Sequence, residues 1–324
     1  MNILLVSHQL DYTGAPIALL ELAKSLIRLE HKVCISSLKT GPLLTEFIKS
    51  GINLFDHEKN TADDYDLIIA NTVISVPPSL SFGKSSKKVL AWIHESEYFF
   101  NIIRKSPDNF RLDELKFVAF PSKFQIDEFS KWMPSALKVQ LKNCVQIPNN
   151  IAIDNKGPYF VCSGEWETRK GQDQLVRHLG NLEEFPEIHF VGAIKPLHLS
   201  LEKFVFTGHL TPLEAKNRIA SSRGVISCAV SETQNLVAIE AMQLGVPVML
   251  SDIPAHRELK KLIPDIVIFD ASSIESFRSN FKLLLNQWAD SAARMRLKEA
   301  ATHWFGMLEF DKNVSDLINL VNES

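Results

Sequence analysis

The sequence of 324 residues contains no C-x-x-C pair, no stretch resembling a signal peptide and no long apolar run. No segment approaches the roughly 18 apolar residues that span a bilayer, so we expect a cytoplasmic protein, and any association with the inner face of the membrane must be peripheral. Its cysteines are widely spaced in or beside apolar runs, which favours buried, reduced thiols over disulfides or a zinc site. These cysteines are Cys34, Cys144, Cys162 and Cys228.

An excess of charge of either sign is also missing. With 35 Lys and Arg against 38 Asp and Glu, the net charge of -3 offers no general attraction for nucleic acid, so we predict no nucleic-acid partner. The local basic cluster of Lys84, Lys87 and Lys88 could touch an anionic surface, but a short charge run is usually only a solvated face.

Two further signatures are absent or out of context. The dinucleotide fingerprint G-x-G-x-x-G does not follow the first strand-like run, which disfavours a dehydrogenase. The Asp64-Tyr65-Asp66 segment is similar to an Asp-x-Asp metal signature, but it precedes a strand-like run and lacks partner carboxylates at ligand spacing. We therefore expect no catalytic metal.

Short runs rich in Val, Ile and Phe alternate with longer amphipathic stretches, a pattern typical of strand-helix-strand units around parallel sheets. Polar turn formers and a Gly-Pro pair interrupt this pattern at 149–158, where we place a linker. We predict an α/β protein with doubly wound domains at 1–155 and 156–324, and an amphipathic last helix at 308–321 that packs on either domain. The predicted strands are 3–7, 32–36, 52–55, 67–71, 89–94, 117–121 and 145–148, then 159–163, 188–191, 204–207, 225–229, 247–250 and 266–269.

Two carboxylates and a helix start lie close together in residues 230–242. Glu232 belongs to a loop after a strand, and Glu240 lies about one turn inside the following helix. Because helical side chains lean toward the N-terminus, both carboxylates can face one small molecule. The start of this helix also offers backbone N–H groups suited to a phosphate, namely those of Asn235, Leu236 and Val237.

A second cluster, at 163–171, lies where another strand gives way to a helix and carries Gly164, Arg169 and Lys170. Fixed cations can stabilise the charge that develops on a departing diphosphate. The alternative is an exposed turn with solvated charges.

The first domain contributes two candidates at the ends of strand-like runs. In Gly14-Ala15-Pro16, the glycine lets backbone approach a phosphate closely, although the same residues also suit an ordinary helix start. His94 lies at the carboxyl end of a predicted strand, at the edge where open α/β sheets bind ligands, but a lone histidine is more often structural.

Residues 230–248 resemble the corresponding segment of the retaining glycosyltransferases of family 4, which have the GT-B fold of two Rossmann-like domains facing across a cleft. The family pattern has two glutamates separated by seven residues, then Ala-Met and Gly-x-Pro-Val, as at Glu232, Glu240, 241–242 and 245–248. A second family pattern, Gly-x-x-x-x-x-Lys-Gly, fits 164–171.

The resemblance implies residue roles as well as a fold. Glu232 would contact the hydroxyl groups of the donor sugar, Glu240 the ribose hydroxyls, and His94 would orient the sugar. Two positions depart from the family. Glu165 stands where many members have Arg, and the usual Gly-Gly pair of the first loop is reduced to Gly14-Ala15.

We therefore expect a retaining, metal-independent hexosyltransferase without a cofactor. Its substrates would be a nucleotide-diphosphate sugar and a glycan, lipid-linked or other hydroxyl acceptor, in surface polysaccharide or glycoconjugate synthesis. Because of Glu165 and the reduced first loop, a non-catalytic nucleotide-sugar-binding partner subunit stays open as an alternative. A sugar-nucleotide epimerase of the same fold is the other alternative.

Overall fold

The computed structural model describes residues 1–56, 61, 64–82, 88–103, 105, 109–151, 157–182, 186–192 and 203–323. The chain divides into two compact units, the first made of Met1–Val145 with Phe305–Ser324 and the second of Gln146–Trp304. Residues 152–156 of the predicted linker lie outside the described residues, as do Lys84 and Lys87 of the basic cluster.

Within the described residues, each unit contains one parallel sheet. The strands are β1 Asn2–Ser7, β2 Lys32–Ser37, β3 Asn53–Leu54, β4 Leu67–Asn71, β5 Lys88–Trp92, β6 Phe117–Phe120, β7 Leu137–Gln140, β8 Phe160–Ser163, β9 Ile188–Val191, β10 Phe204–Gly208, β11 Val225–Ser227, β12 Val248–Ser251 and β13 Val267–Phe269. The first sheet has the order β3-β2-β1-β4-β5-β6-β7, and the second has the order β10-β9-β8-β11-β12-β13. The prediction of two doubly wound parallel-sheet domains is thereby confirmed.

The helices lie between the strands and after the last one. They are α1 Gly14–Arg28, α2 Leu44–Lys49, α3 Val76–Phe82, α4 Glu97–Ile103, α5 Lys123–Phe129, α6 Gln172–Gly180, α7 Pro212–Ala220, α8 Leu236–Gln243, α9 Pro254–Leu262, α10 Ile274–Ala289, α11 Ser291–Phe305 and α12 Met307–Glu323. In the part of the chain that the structure describes, no helix combines the length and apolarity needed to cross a bilayer.

One predicted strand is wrong. Residues 145–148 form no strand, and the edge strand next to β6 is β7 instead. The sequence of β7 alternates apolar and polar residues, and its side chains are partly or fully exposed, as expected at a sheet edge. The backbone N–H of Val145 bonds to the carbonyl oxygen of Phe305 at 3.0 Å, so this apolar run joins the chain to α11 rather than to the sheet.

The first sheet is covered on both faces, and β1 shows how the sequence achieves this. Ile3 and Leu5 belong to one apolar cluster, while Leu4 and Val6 belong to the cluster on the opposite face. Successive side chains of a strand point to opposite faces, so a continuous apolar run is what a sheet buried on both sides requires.

The last helix, α12, completes the core of the first unit. Its buried residues follow three- and four-residue spacing and pack in the same cluster as Ile3 and Leu5. Asp311 accepts hydrogen bonds from Arg28 at 2.8 and 2.7 Å and from Ser25 at 2.6 Å, which joins α12 to α1. The first unit is therefore discontinuous in sequence.

Replacing Ile318 by Ala should lower the free energy of unfolding of the first unit by about 3 kcal/mol, because the side chain is only 3% exposed and its loss leaves a cavity. Urea unfolding measures the loss of free energy, and hydrogen exchange of the β1 amides serves as the probe of the first unit. Leu308→Ala is the control, since Leu308 on the same helix is 86% exposed and should tolerate the change. Equal losses in the two variants would contradict the assignment of α12 to this core.

Candidate active site

The loop after β8 is shaped by two glycines that no other residue could replace without strain. Gly164 has φ 121°, and a Cβ there would lie 3.3 Å from Cε of Lys170. Gly171 has φ 69°, and a Cβ there would lie 2.1 Å from the carbonyl oxygen of Cys228, closer than any real contact. The position of Lys170 is therefore fixed twice. Its side chain lies against Gly164, and the next residue, Gly171, packs directly on the backbone of Cys228.

Lys170 forms an ion pair with Glu232. Its Nζ lies 2.6 Å from Oε1 of Glu232, and the two side chains are 23% and 9% exposed. The predicted cation and the predicted sugar-binding carboxylate therefore touch each other at the carboxyl edge of the second sheet.

Glu232 is ionised despite its burial. Burial alone would raise the pKa of this carboxyl, but the charges of Lys170 and Arg169 and the hydrogen bond from Lys170 outweigh burial and hold the pKa below its ordinary value. A carboxylate held in this way is a fixed negative charge and a weak base.

Arg169 connects the two loops of the site. Its guanidinium donates to Glu167 Oε1 at 2.6 Å and to the carbonyl oxygen of Ser231 at 3.3 Å, and it lies 3.5 Å from Glu232 Oε2. The backbone N–H of Val230 bonds to the carbonyl of Arg169 at 2.9 Å. Most of the Arg169 guanidinium group is therefore engaged in holding the loop that carries Glu232.

Asn235 caps α8 from a left-handed backbone conformation with φ 52°, a region that asparagine tolerates better than most residues. Its Oδ1 accepts from the backbone N–H of Ala238 at 3.2 Å. Among the described residues, no group accepts the N–H of Leu236 or Val237. The helix start thus presents two free donors together with the positive end of its dipole.

His256 on α9 lies behind this cap and is fully buried. Its Nε2 is 2.9 Å from Nδ2 of Asn235, and its Nδ1 is 2.8 Å from the carbonyl oxygen of Ser251. Burial lowers its pKa, against opposing contributions from the Ser251 carbonyl and the Glu232 charge. His256 is absent from the sequence-based predictions, because a histidine on an amphipathic helix carries no signal of its own.

Glu240 has a partner that the sequence does not reveal. Lys216 on α7 places its Nζ 2.6 Å from Oε1 of Glu240, and the two side chains are 12% and 16% exposed. The pair joins α7 to α8. One carboxylate oxygen of Glu240 is therefore engaged by Lys216, and the other has no hydrogen bond among the described residues.

In the first unit, Gly14 is the exposed first residue of α1, and Ala15 is partly buried. Asp11 Oδ1 accepts from the backbone N–H and the hydroxyl of Thr13 at 3.1 and 2.5 Å, which orders the turn before the helix. The carbonyl oxygen of Ala15 accepts from Asn71 at 2.9 Å, so the end of β4 is tied to this helix start.

His94 follows β5 and packs on Trp92, with ring centroids 4.4 Å apart. Its Nε2 is buried without a hydrogen-bond partner among the described residues. Burial, and to a lesser degree the nearby His8, lowers the pKa of His94 to about 3. The imidazole is therefore neutral at physiological pH and has one unused polar atom.

Glu95, next to His94, is a buried carboxyl. Its Oε1 accepts from the backbone N–H of Val73 at 2.9 Å, while its Oε2 has no partner in the described part of the chain. Burial raises the pKa to about 7, against backbone hydrogen bonds that lower it. Thr72, directly before Val73, has φ 94°, a strained backbone conformation. The hydrogen bond from Val73 to Glu95 helps to hold this turn in place.

The Asp64-Tyr65-Asp66 segment acts as a strand-entry turn. Asp66 accepts from the backbone N–H of Asn2 at 2.8 Å, and Asp64 accepts from that of Thr61 at 2.7 Å. No group of three or more His, Cys, Asp or Glu side chains that could hold a metal ion lies within the described residues.

The structure brings together most predicted residues of the second unit. Glu232, Arg169 and Lys170 are in contact, Gly164 lies against Lys170, and Glu240 lies on the helix that Asn235, Leu236 and Val237 begin. Gly14, Ala15 and His94 lie in the first unit, at the carboxyl edge of its sheet.

Replacing Glu95 by Gln should remove a pH-dependent loss of stability. A carboxyl with a raised pKa in the folded state favours folding while protonated, and this contribution disappears as the pH rises through about 7. The unfolding free energy of the variant relative to wild type should therefore grow by about 3 kcal/mol from pH 4.5 to 8. Urea titrations across this range measure it, with the exposed Glu97→Gln as the control, and parallel profiles would refute the assignment.

Two family models match this chain. The model described as glycosyl-transferase family 4 matches residues 1–155, and the model described as glycosyl transferases group 1 matches residues 146–304. A comparison with curated proteins gave no match.

Several solved structures are similar over nearly the whole length. HepE of Anabaena in complex with UDP and glucose has a TM-score of 0.80 at 15% identity, covering 98% of this chain and 99% of that one. Sucrose-phosphate synthase of Thermosynechococcus elongatus has a TM-score of 0.74 at 15% identity, covering 100% and 99%. A glycosyltransferase of Rickettsia africae has a TM-score of 0.72 at 16% identity, covering 99% of each chain. At these identities the likeness shows the fold.

The family models together match residues 1–304, and the structural neighbours share the two parallel-sheet units. The protein is a GT-B glycosyltransferase and belongs to family 4, as the pattern around Glu232 and Glu240 predicts.

Proposed function

We propose that this glycosyltransferase moves a hexose from a nucleotide-diphosphate sugar to a hydroxyl acceptor, with retention of the anomeric configuration and without a metal ion. One observation carries the proposal. The second unit places a fixed carboxylate, a lysine and the free N–H groups of a helix start at one edge of its sheet, which are the groups that a sugar diphosphate needs.

The diphosphate binds at the start of α8. The N–H groups of Leu236 and Val237 have no hydrogen-bond acceptor among the described residues, and they lie at the positive end of the helix dipole. An ammonium has three donors, and only one bond of Lys170 is spent on Glu232. Lys170 can therefore hold Glu232 and the diphosphate together, which stabilises the charge of the leaving group.

Glu240 binds the ribose. Lys216 holds one carboxylate oxygen, which fixes the orientation of the carboxylate and leaves the other oxygen to accept from vicinal hydroxyls. Glu232 accepts from hydroxyls of the donor sugar in the same way, with Lys170 and Arg169 keeping it charged. In the first unit, Gly14 lies at a helix start that backbone or ligand can approach closely, and Nε2 of His94 has no partner among the described residues.

The state of Glu232 supports a mechanism without a covalent sugar-enzyme intermediate. Its lowered pKa and its two cationic partners make it a poor base and a poor nucleophile. An oxygen of the leaving diphosphate then takes the proton of the acceptor hydroxyl, on the face of the sugar from which the diphosphate departs. Attack on that face retains the configuration.

The same arrangement supports the proposed metal independence. The positive charge that a divalent ion would supply comes from Lys170 and the helix start.

The acceptor is a glycan, lipid-linked or other hydroxyl, used in surface polysaccharide or glycoconjugate synthesis at the inner face of the membrane. A similar structure is described as a lipopolysaccharide outer core galactosyltransferase, which supports this class of acceptor.

Purified protein should transfer label from one member of a panel of UDP-, GDP- and ADP-hexoses to an acceptor glycan or lipid-linked sugar. EDTA should leave the rate unchanged, and the anomeric coupling of the product should match that of the donor. Conversion of the donor without an acceptor would establish an epimerase. Donor binding without any turnover would establish the partner subunit, and loss of activity in EDTA would overturn metal independence.

Lys170→Ala should lower the rate of transfer about a hundredfold, corresponding to about 3 kcal/mol of barrier, because the leaving diphosphate loses a fixed cation. Single-turnover kinetics measure the effect, and thermal unfolding verifies that the variant is folded. Lys261→Ala is the matched control, since Lys261 is exposed on α9. A folded Lys170→Ala variant within a few-fold of wild type would exclude this role.

A further inference from the structure

We propose that His256 is a positioning residue for the diphosphate, acting through Asn235 and making no contact with substrate itself. The inference rests on the proposed function, because it concerns the same helix start. Full burial excludes His256 from direct contact with a ligand, yet its Nε2 lies 2.9 Å from the residue that begins the helix.

The hydrogen bonds around His256 assign its tautomer. The carbonyl oxygen of Ser251 can only accept, so Nδ1 carries the proton and donates to it at 2.8 Å. Nε2 is then an acceptor, and the Nδ2 amide of Asn235 donates to it. Ser251 is fixed in turn, because its hydroxyl donates to the carbonyl oxygen of Ala229 at 2.5 Å.

This series of hydrogen bonds determines which way the side-chain amide of Asn235 points. With Nδ2 directed at His256, Oδ1 faces α8 and accepts the N–H of Ala238 at 3.2 Å. A flipped amide would place a donor against the Ala238 N–H and an acceptor against Nε2, losing both bonds. The neutral imidazole therefore holds the cap in the one orientation that works.

The cap matters because Asn235 sits at φ 52°, a conformation that is costly for a non-glycine residue. Its two side-chain bonds compensate this cost and keep the left-handed turn in place. That turn sets the direction of the Leu236 and Val237 N–H groups, which the proposed function gives to the diphosphate. Glu232, Lys170 and Asp252 are the charged groups whose fields reach His256.

Two amide substitutions separate this role from simple packing. His256→Asn keeps a donor near the position of Nδ1 but is too short to reach Asn235. His256→Gln places an amide oxygen near the position of Nε2. We expect the dissociation constant of UDP, measured by calorimetry, to rise about tenfold in His256→Asn and to stay within about threefold of wild type in His256→Gln. His303→Asn, at an exposed position on α11, is the control.

Asn235→Gly provides the second arm of the experiment. Glycine adopts a positive φ without an amide bond, so His256→Asn should cost nothing further in the Asn235→Gly background. This double variant also decides the matter if His256→Asn alone does not fold. A further tenfold loss of UDP affinity in the Asn235→Gly background would overturn the proposal, as would wild-type affinity in a folded His256→Asn variant.

A measurement without ligand distinguishes failure of this inference from failure of the proposed function. Hydrogen exchange of the Ala238 amide, which Asn235 caps, should be about tenfold faster in His256→Asn and normal in His256→Gln. Unchanged exchange in His256→Asn would overturn the positioning role. Wild-type protein that binds no nucleoside diphosphate, yet shows the expected exchange pattern, would sink the proposed function and leave the role of His256 in the cap intact.

Discussion

A negative charge that is almost out of contact with water constrains the whole carboxyl edge of the second sheet. Glu232 is 9% exposed and still ionised, which requires cations at short range. Lys170 and Arg169 supply them, and both come from the loop after β8. Gly164 leaves room beside its backbone for the Lys170 side chain, and Gly171 lets the loop pack directly on the backbone of Cys228 after β11.

The same edge carries two further polar residues, each held by a neighbour on another element. Lys216 on α7 orients Glu240 on α8, and His256 on α9 orients Asn235. Every one of these contacts fixes a side chain before a ligand arrives. A site organised in advance loses little free energy to reordering when charge develops in a transition state.

The sequence alone reveals the parts of this arrangement that are local. The alternation of apolar runs and amphipathic stretches predicts both sheets, and the spacing of Glu232 and Glu240 predicts a site at the start of α8. Lys216 and His256 escape sequence reasoning because each reaches its partner only through the packing of separate helices, 24 and 21 residues away in the chain. The edge strand β7 was missed for a similar reason, since a short, half-exposed strand has a weaker apolar signal than the run at 145–148.

The discontinuity of the first unit has a consequence for how the protein matures. A ribosome delivers a chain from its amino end, so residues 146–304 emerge before α12 does. The second unit is contiguous and can fold during synthesis. The first unit, by contrast, has the apolar cluster around β1 and α1 only partly covered until residues 307–323 arrive to complete it. The nascent amino-terminal half therefore exposes apolar surface until synthesis of α12 is complete, whereas the second unit depends on no later segment.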